Sequence, residues 1–282
     1  MKYYRLALTA VAAAAATPAL AQETAPPKPI TVSGSFAIVS DYRLRGVSQS
    51  DSKPALQGGI TLTTDYGIYL GVWGSNLAGW GTFGGANLEF DYIGGYKAKL
   101  GNGTVDVGLT WYTYPGGADK TDFVEPFAKL SGTVGPASLT AGVAYAPKQE
   151  ALGRWYNTGA DAAAGIYNNP GAKYDNLYLW GDGAVGVPST PFTAKGHIGY
   201  SRGNPGLGPN ATSVAPTGKY WDWLVGVDYA VKDSPLTVGV AYTDTDISTR
   251  DAAYLQPSFS KGQDGSGSIA GPRIVFTATA AF

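Results

Sequence analysis

The feature that most constrains the fold of this sequence is a two-residue alternation of apolar and polar side chains. Between Val105 and Trp111, apolar residues occupy the odd positions and polar or small residues the even ones. Side chains of a strand point alternately to opposite faces, so such a segment predicts a strand with one apolar and one polar face. Twelve segments show this pattern, with approximate bounds 31–45, 54–64, 67–76, 87–99, 104–114, 123–132, 137–146, 174–187, 192–202, 219–231, 236–246 and 272–282.

The connections between these segments alternate strictly in length. Those after the even-numbered segments are short, at 65–66, 100–103, 133–136, 188–191 and 232–235. Those after the odd-numbered segments are mostly longer, and the longest are 147–173, 203–218 and 247–271. Short turns at one end and long loops at the other are typical of outer-membrane barrels, and closure satisfies every backbone group in the bilayer. We therefore predict an all-β fold, a transmembrane antiparallel up-and-down β-barrel of about 12 strands over 31–282.

Two alternatives to this fold stay open. Secreted β-sandwiches share the same alternation, and segment 147–173 is long enough to hide one more hairpin.

Composition excludes several other classes of protein. The 282 residues include 40 Gly and only 15% charged residues, no Cys and one His, which argues against a helix-rich soluble enzyme and against Cys or multi-His metal sites. The net charge of −1 provides no basic surface for nucleic acid. We expect no cofactor and no metal.

The first residues have a composition of their own. Lys2 and Arg5 precede the apolar run 6–16, and Ala19 and Ala21 form a small-x-small cleavage pattern before Gln22. This pattern is typical of a secretory signal peptide. We expect a signal peptide at 1–21, followed by a Pro-rich periplasmic linker at 22–30.

The end of the chain has an alternating apolar stripe that starts at Ile274 and finishes at the terminal Phe282. It resembles the C-terminal signal that barrel-assembly machinery recognises. We therefore predict that the Phe282 strand binds this machinery.

The most distinctive stretch runs from Ser40 to Ser50, SDYRLRGVSQS, and is followed by Pro54 to Gly59, PALQGG. It resembles the start of the TorF-type porin family of proteobacterial outer-membrane proteins. The likeness is closest over 33–62 and extends more weakly to the last strand. The resemblance implies an outer-membrane barrel that forms a pore.

Charged residues follow the polar parity of the predicted strands. Asp41, Arg43 and Arg45 have the parity opposite to Phe36, Ile38, Tyr42 and Leu44. Because a Lys or Arg on the lipid face costs about 2–4 kcal/mol near the midplane, the charged set should face the lumen and the apolar set the lipid. The same parity argument on later strands predicts lumenal Glu89, Asp91, Glu125 and Lys129, and also Lys97, Asp106, Lys195 and His197.

These seven residues, Asp41, Arg43, Arg45, Glu89, Asp91, Glu125 and Lys129, are the predicted pore-lining set that would determine selectivity. Opposed charges across a pore would create a transverse field that filters polar solutes. The alternative is that the charges neutralise one another and fill the barrel. Aromatic residues near strand ends are expected to form interfacial girdles; they are Tyr66, Tyr69, Trp73, Tyr96, Trp111, Tyr114, Trp221 and Trp223.

Three functions come into question for the predicted barrel. The first is a porin for passive diffusion of small hydrophilic solutes or ions, surrounded by outer-membrane lipid and lipopolysaccharide, with self-association into a homo-oligomer left open. The second is a closed structural or surface-binding barrel that acts through loops 147–173 and 247–271. The third, a barrel lipase, needs a histidine on the barrel exterior within reach of a nucleophile; the parity of His197 places it inside, so we predict no enzyme.

Overall fold

The computed structural model describes residues 29–78, 85–252 and 268–282. Twelve long antiparallel strands form a closed barrel, which confirms the predicted fold class. They are β1 (Ile30–Val39), β4 (Ala55–Thr64), β5 (Ile68–Asn76), β6 (Leu88–Leu100), β7 (Gly103–Thr113), β8 (Phe123–Val134), β9 (Ala137–Gln149), β10 (Tyr174–Gly186), β11 (Phe192–Arg202), β12 (Lys219–Ala230), β13 (Leu236–Thr245) and β14 (Arg273–Ala281). Two-residue strands β2 (Arg43–Leu44) and β3 (Val47–Ser48) pair only with each other.

The barrel closes between its first and last strands. Ser35 of β1 pairs with Gly59 of β4 on one side and with Ala281 of β14 on the other. Gly34 and Phe282 exchange two backbone hydrogen bonds of 2.9 and 3.0 Å across the same seam. Each strand therefore has two hydrogen-bonded neighbours, which leaves the sheet without an edge.

The alternation of the sequence separates an apolar outside from a polar inside. On β12, Val225 is 65% exposed on the outer face, whereas Asp222 and Asp228 are each 2% exposed on the inner face. An apolar outer surface combined with a polar interior is what a barrel needs in a bilayer. Within the described ranges, no helix is long and apolar enough to span a membrane.

Short turns lie at one end of the barrel, the turn end, and long connections at the other, the loop end. The segment 147–173, considered for an extra hairpin, contains instead the extension of β9 to Gln149 and the helix α1 (Gly159–Ala163). Thr158 caps α1 and forms a capping box with Asp161. Of loop 247–271, residues 253–267 lie outside the described residues, as do the predicted signal peptide and residues 22–28 of the predicted linker.

Apolar side chains are packed together at the loop end. One cluster includes Tyr42, Leu44, Tyr112, Phe123 and Leu152. A second cluster is built around Leu207, which is fully buried, and is formed by Val47, Tyr156, Leu207, Tyr220, Ile247, Ala252, Ile269 and Ala270. The loop end thus has a packed core, in contrast to the polar interior below it.

The predicted first strand, 31–45, is too long. β1 ends at Val39, and residues 41–51 turn into the barrel, where every one of them is buried. We call residues 41–51 the lumen hairpin. Phe36 and Ile38 face outward as predicted, at 49% exposure each, but Tyr42 and Leu44 are 5% and 7% exposed and lie inside. The prediction that Tyr42 and Leu44 face lipid is therefore wrong, because the strand does not extend that far.

The aromatic girdle is also only partly as predicted. Tyr66, Tyr96, Trp111 and Trp221 are exposed on the outside. Tyr69 and Tyr114 are buried, at 5% and 4% exposure, and Trp73 packs edge-on against Tyr42 with ring centroids 5.5 Å apart. Tyr69, Trp73 and Tyr114 therefore belong to the interior, and their predicted place in the girdle is wrong. The parity of a position, and not its nearness to a strand end, determines which face its side chain is on.

Candidate functional site

The tip of the lumen hairpin is a two-residue turn. Leu44 pairs with Val47, and the two residues between them, Arg45 and Gly46, have φ of 52° and 78°. A two-residue loop of type I′ requires positive φ at both central positions, and glycine adopts such φ without steric cost. A Cβ on Gly46 would lie 2.5 Å from the Thr245 side chain and 2.9 Å from that of Asp222. The tip therefore fits tightly against β12 and β13.

Arg45 connects the hairpin to the far side of the barrel. Its Nη2 donates to both carboxylate oxygens of Glu125 at 2.7 Å, and its Nη1 donates to Asn176 Oδ1 at 2.8 Å. Its guanidinium lies 4.2 Å from the centre of the Tyr178 ring. Glu125 is on β8 and Tyr178 on β10, the strands that flank the position opposite β1. The Arg45 side chain therefore reaches from the hairpin tip to strands on the far side of the barrel from β1.

Asp41 and Arg43 hold the hairpin in shape from within. Arg43 Nε donates to Asp41 Oδ2 at 2.7 Å, and Arg43 Nη1 donates to the carbonyls of Gly46 and Gly271 at 2.8 and 2.7 Å. Ser48 Oγ donates to the other oxygen of Asp41. These contacts join both arms of the hairpin to each other and to the start of the last strand.

Glu89 and Asp91 lie on β6 near the loop end, behind the hairpin. Glu89 is fully buried and Asp91 is 4% exposed. Tyr42 donates its hydroxyl hydrogen to Glu89 Oε2 at 3.0 Å. Glu89 Oε1 and Asp91 Oδ1 have no hydrogen-bond partner among the described residues. Neither carboxylate lines either of the two interior cavities described below.

Lys129 belongs to a charged row nearer the turn end. Lys129 Nζ lies 3.2 Å from Asp106 Oδ2, and Tyr69 donates its hydroxyl hydrogen to Asp106 Oδ1 at 2.8 Å. The ammonium of Lys97 lies 4.7 Å from the centre of the Tyr69 ring. The row thus joins β5, β6, β7 and β8.

His197 has a second charged group around it, on β10 and β12. Its Nδ1 lies 2.6 Å from Asp182 Oδ1, and its Nε2 lies 3.1 Å from Asp222 Oδ1 and 2.9 Å from the Tyr178 hydroxyl. On the same face, Lys195 Nζ lies 2.6 Å from Asp228 Oδ1. Parity predicted that His197 and Lys195 lie inside, but it did not identify Asp182 and Asp222 as partners of His197 or Asp228 as the partner of Lys195, although it puts all three aspartates on the inner face.

Two cavities of about 130 Å³ each remain in the interior. The inner cavity is bordered by β1 and by β4 to β11, and it includes Lys97, Lys129 and Glu125. The side cavity lies against β1, β13 and β14, where the lining side chains are small and uncharged. Both cavities share Ser35, Arg45, Trp73, Asp182 and His197. The hairpin therefore borders both of these cavities.

The seven predicted lumenal residues all lie inside the barrel, but in three different settings. Asp41, Arg43 and Arg45 are on the hairpin, which corrects their predicted position on a wall strand. Arg45 and Glu125 form a pair, and Lys129 pairs with Asp106, which was also predicted to be lumenal. Glu89 and Asp91 are shielded by the hairpin. Direct ion pairs therefore replace the predicted field between opposite walls.

In the parts of the chain that the structure describes, no three or more His, Cys, Asp or Glu side chains are arranged so that they could hold a metal ion. The three aspartates at the start of loop 247–271 have local roles. Asp244 accepts from the Tyr242 hydroxyl at 2.8 Å, Asp246 accepts from the backbone of Trp221 at 2.8 Å, and Asp251 accepts from Ser248 at 2.7 Å.

The profile of one protein family, described as bacterial proteins of unknown function and called Gcw_chp, matches residues 23–281. The chain belongs to this family. The family match covers the hairpin and every strand of the barrel. Comparison with curated proteins finds no match. The narrower TorF-type resemblance stays a prediction.

Solved structures of similar shape are remote in sequence. A refined porin has 12% identity and a TM-score of 0.41 over 81% of this chain. The outer membrane channel DcaP of Acinetobacter baumannii has 12% identity and a TM-score of 0.39 over 85%. OmpT, an outer membrane protein of Vibrio cholerae, has 10% identity and a TM-score of 0.39 over 90%. This chain spans 62% of the porin, 65% of DcaP and 99% of OmpT.

Proposed function

We propose that the protein is an outer-membrane diffusion channel for small hydrophilic solutes or ions, narrowed by the lumen hairpin. The observation that carries the proposal is the interior below the hairpin, which contains cavities lined by charged and hydroxyl side chains. Barrels of eight strands are filled by side chains and those of sixteen leave a channel. With twelve strands, the degree of opening depends on what occupies the interior, and among the described residues the lumen hairpin extends into it.

The charged residues have two roles in this proposal. Asp41, Arg43, Arg45 and Glu125 fix the position of the hairpin through their ion pairs and so determine the width of the passage. Lys129 faces the inner cavity, where a permeating solute would meet it. Glu89 and Asp91 would reach a solute only when the hairpin moves, because Tyr42 covers Glu89.

A second candidate function is a closed barrel that binds a partner through its external loops. The observation that favours it is the packed loop end, where apolar side chains of the hairpin and of loop 203–218 are buried together. In this version the hairpin is a permanent seal and loops 147–173 and 247–271 form the binding surface.

Several further proposals accompany the channel. They are cleavage of a signal peptide at 1–21, a linker at 22–30, insertion beside lipopolysaccharide, recognition of the Phe282 strand by barrel-assembly machinery, and association into homo-oligomers. That the chain is not an enzyme also stays a prediction.

Single-channel conductance tests the proposal. A short Gly-Ser turn replaces residues 41–53, which is sterically feasible because Val39 and Ala55 are directly paired. We expect small steps for the wild-type protein and severalfold larger steps for the variant. A matched control replaces residues 158–165, which contain α1 and lie outside the barrel wall, by the same turn. Heat-modifiable migration checks that each variant is a folded barrel.

The control should conduct as the wild type does. A folded wild-type barrel that never conducts, together with a hairpin variant that does, would contradict the channel and favour the sealed barrel. Loss of cell-surface or ligand binding on removal of loop 147–173, with the barrel still folded, would support the second candidate directly.

A further inference from the structure

We propose that the inner cavity is a binding site for a small carboxylate anion, with Lys97 and Lys129 as its cationic ligands. The inference deepens the proposed function, since it names the class of solute, and it rests on that function in so far as solutes must enter the interior.

The first observation is the order of charges across three neighbouring strands. Lys97 of β6 is paired with Asp106 of β7, and Asp106 is paired with Lys129 of β8. All three side chains are on the inner face, where directly opposite residues have Cβ atoms about 5 Å apart. One buried carboxylate, at 5% exposure, therefore stands between two ammonium groups. The row has an excess of one positive charge.

The second observation is the environment of Lys97. Both oxygens of Asp106 are engaged elsewhere, one by Tyr69 and one by Lys129. Among the described residues, no carboxylate oxygen lies within 4.0 Å of Lys97 Nζ. The half-buried ammonium lies against the Tyr69 ring and borders the inner cavity. A cation held by an aromatic face keeps its hydrogen-bond donors available.

The third observation is the balance of charge around the open space. Four carboxylates line the two cavities: Asp41, Glu125, Asp182 and Asp222. Each is within 3.1 Å of a basic side chain, namely Arg43, Arg45 or His197. Five Lys or Arg side chains line the same space: Arg43, Arg45, Lys97, Lys129 and Lys195. The partners of Lys129 and Lys195 are Asp106 and Asp228, which lie behind the surface and do not line it. Lys129 and Lys195 are thus neutralised from behind the cavity surface, and a solute in the inner cavity meets one ammonium group, that of Lys97, with no carboxylate oxygen of the described residues within 4.0 Å.

The size and the remaining lining select the kind of anion. A volume of about 130 Å³ accommodates a compact solute. Ser33, Ser35 and Thr61 border the same cavity, and their hydroxyl groups can donate to carboxylate oxygens. Two lysines, together with hydroxyl groups that line the same cavity, suit a short-chain carboxylate better than a bulky or uncharged solute.

The test uses succinate as the probe and the full protein purified from membranes in detergent. Saturation-transfer NMR detects weak binding and does not depend on conduction. We expect transfer to succinate for the wild type, about tenfold weaker binding for Lys97→Gln because a charge-assisted hydrogen bond is lost, and retained binding for Lys97→Arg. The matched control is Lys99→Gln, on the same strand and face as Lys97 but exposed and outside both cavities; it should bind as the wild type does.

A wild-type barrel that shows no saturation transfer, or equal binding by the wild type and Lys97→Gln, would overturn the inference. Ion selectivity, measured as conductance in a KCl gradient, tests the proposed channel separately from the binding site. Anion preference that falls in Lys97→Gln but not in Lys99→Gln supports both proposals. Succinate binding that depends on Lys97 in a barrel that never conducts supports the site and contradicts the channel.

Discussion

The Arg45–Glu125 pair shows what a single side chain contributes inside this barrel. Both groups are nearly excluded from solvent, at 6% and 3% exposure of their side chains. Burial of an ion pair costs desolvation energy that good geometry offsets, and here the guanidinium also bonds Asn176 and lies on Tyr178. The contribution of the pair is therefore mainly to fix one position of the hairpin, since each partner is costly when left alone.

Removing one partner of the Arg45–Glu125 pair should lower the free energy of unfolding more than removing both partners does. Arg45→Met leaves the Glu125 carboxylate buried without its cation, which typically costs about 3–5 kcal/mol. The double variant Arg45→Met, Glu125→Gln should be closer to the wild type in the free energy of unfolding, measured with urea in lipid vesicles. The exposed pair Lys120–Glu150, with 49% and 29% exposure, is the control; Lys120→Met should cost at most about 1 kcal/mol. A double variant as unstable as the sum of its singles would contradict the coupling.

Parity predicted the inward direction of these side chains, but not their partners. Counting by twos places Glu125 on the inner face of β8, because alternate residues of a strand share a face. The contact with Arg45 joins positions 80 residues apart and depends on how far the hairpin descends. That distance is a tertiary property, so the sequence pattern predicted charges opposed across a space where the structure has them in direct contact.

At the scale of the strands, the alternation gave the wrong prediction for the lumen hairpin. Polar and apolar residues alternate again over 41–45, so the pattern predicted one long strand. The backbone signal against it was local. Arg45 and Gly46 form a turn that reverses the chain, and of the two only Gly46 is a residue type that favours the positive φ of such a turn. The other eleven strands were predicted within about three residues, because their turns coincide with breaks in the alternation.

Gly46→Ala should displace the hairpin. Alanine is strained at φ of +78°, and its Cβ would overlap Thr245 and Asp222. We expect trypsin to cut after Arg43 or Arg45 in the folded variant and not in the wild type, as measured by mass spectrometry of the products. Gly101→Ala is the matched control, since Gly101 also has positive φ, +58°, but has nothing within 4 Å of a Cβ. Equal protection of all three proteins would show that the tip does not need glycine.

The barrel as a whole could be predicted from sequence because the bilayer enforces its pattern. Every polar group of a spanning segment must be satisfied internally, so strands have to close and their outer residues have to be apolar. The strand number of twelve follows from counting the alternating segments, and the turn end and loop end follow from the alternating lengths of the connections. What filled the interior did not follow, because water, ion pairs and a folded loop all satisfy the same polar face.

A charged side chain on the outer face should destabilise the barrel far more than the same side chain on the inner face. Val225 is in the middle of β12 and 65% exposed to the outside. Val225→Lys should lower the free energy of unfolding, measured in lipid vesicles, by about 2–4 kcal/mol. Thr277→Lys is the internal control, at mid-strand on β14 and lining the side cavity, and should cost much less. Similar costs for both variants would contradict the assignment of the two faces.

The path of the lumen hairpin also determines when the barrel can finish folding. The hairpin leaves the first strand, yet Tyr220 of β12 donates its hydroxyl hydrogen to the Arg45 carbonyl from 175 residues further along the chain. Contacts between such distant residues form late, since the loops between them must first be closed. The hairpin can therefore dock only after β12 and β13, which contact its tip, have joined the barrel. We expect docking to be a late step of assembly, so that the interior becomes narrow only when most of the wall has formed.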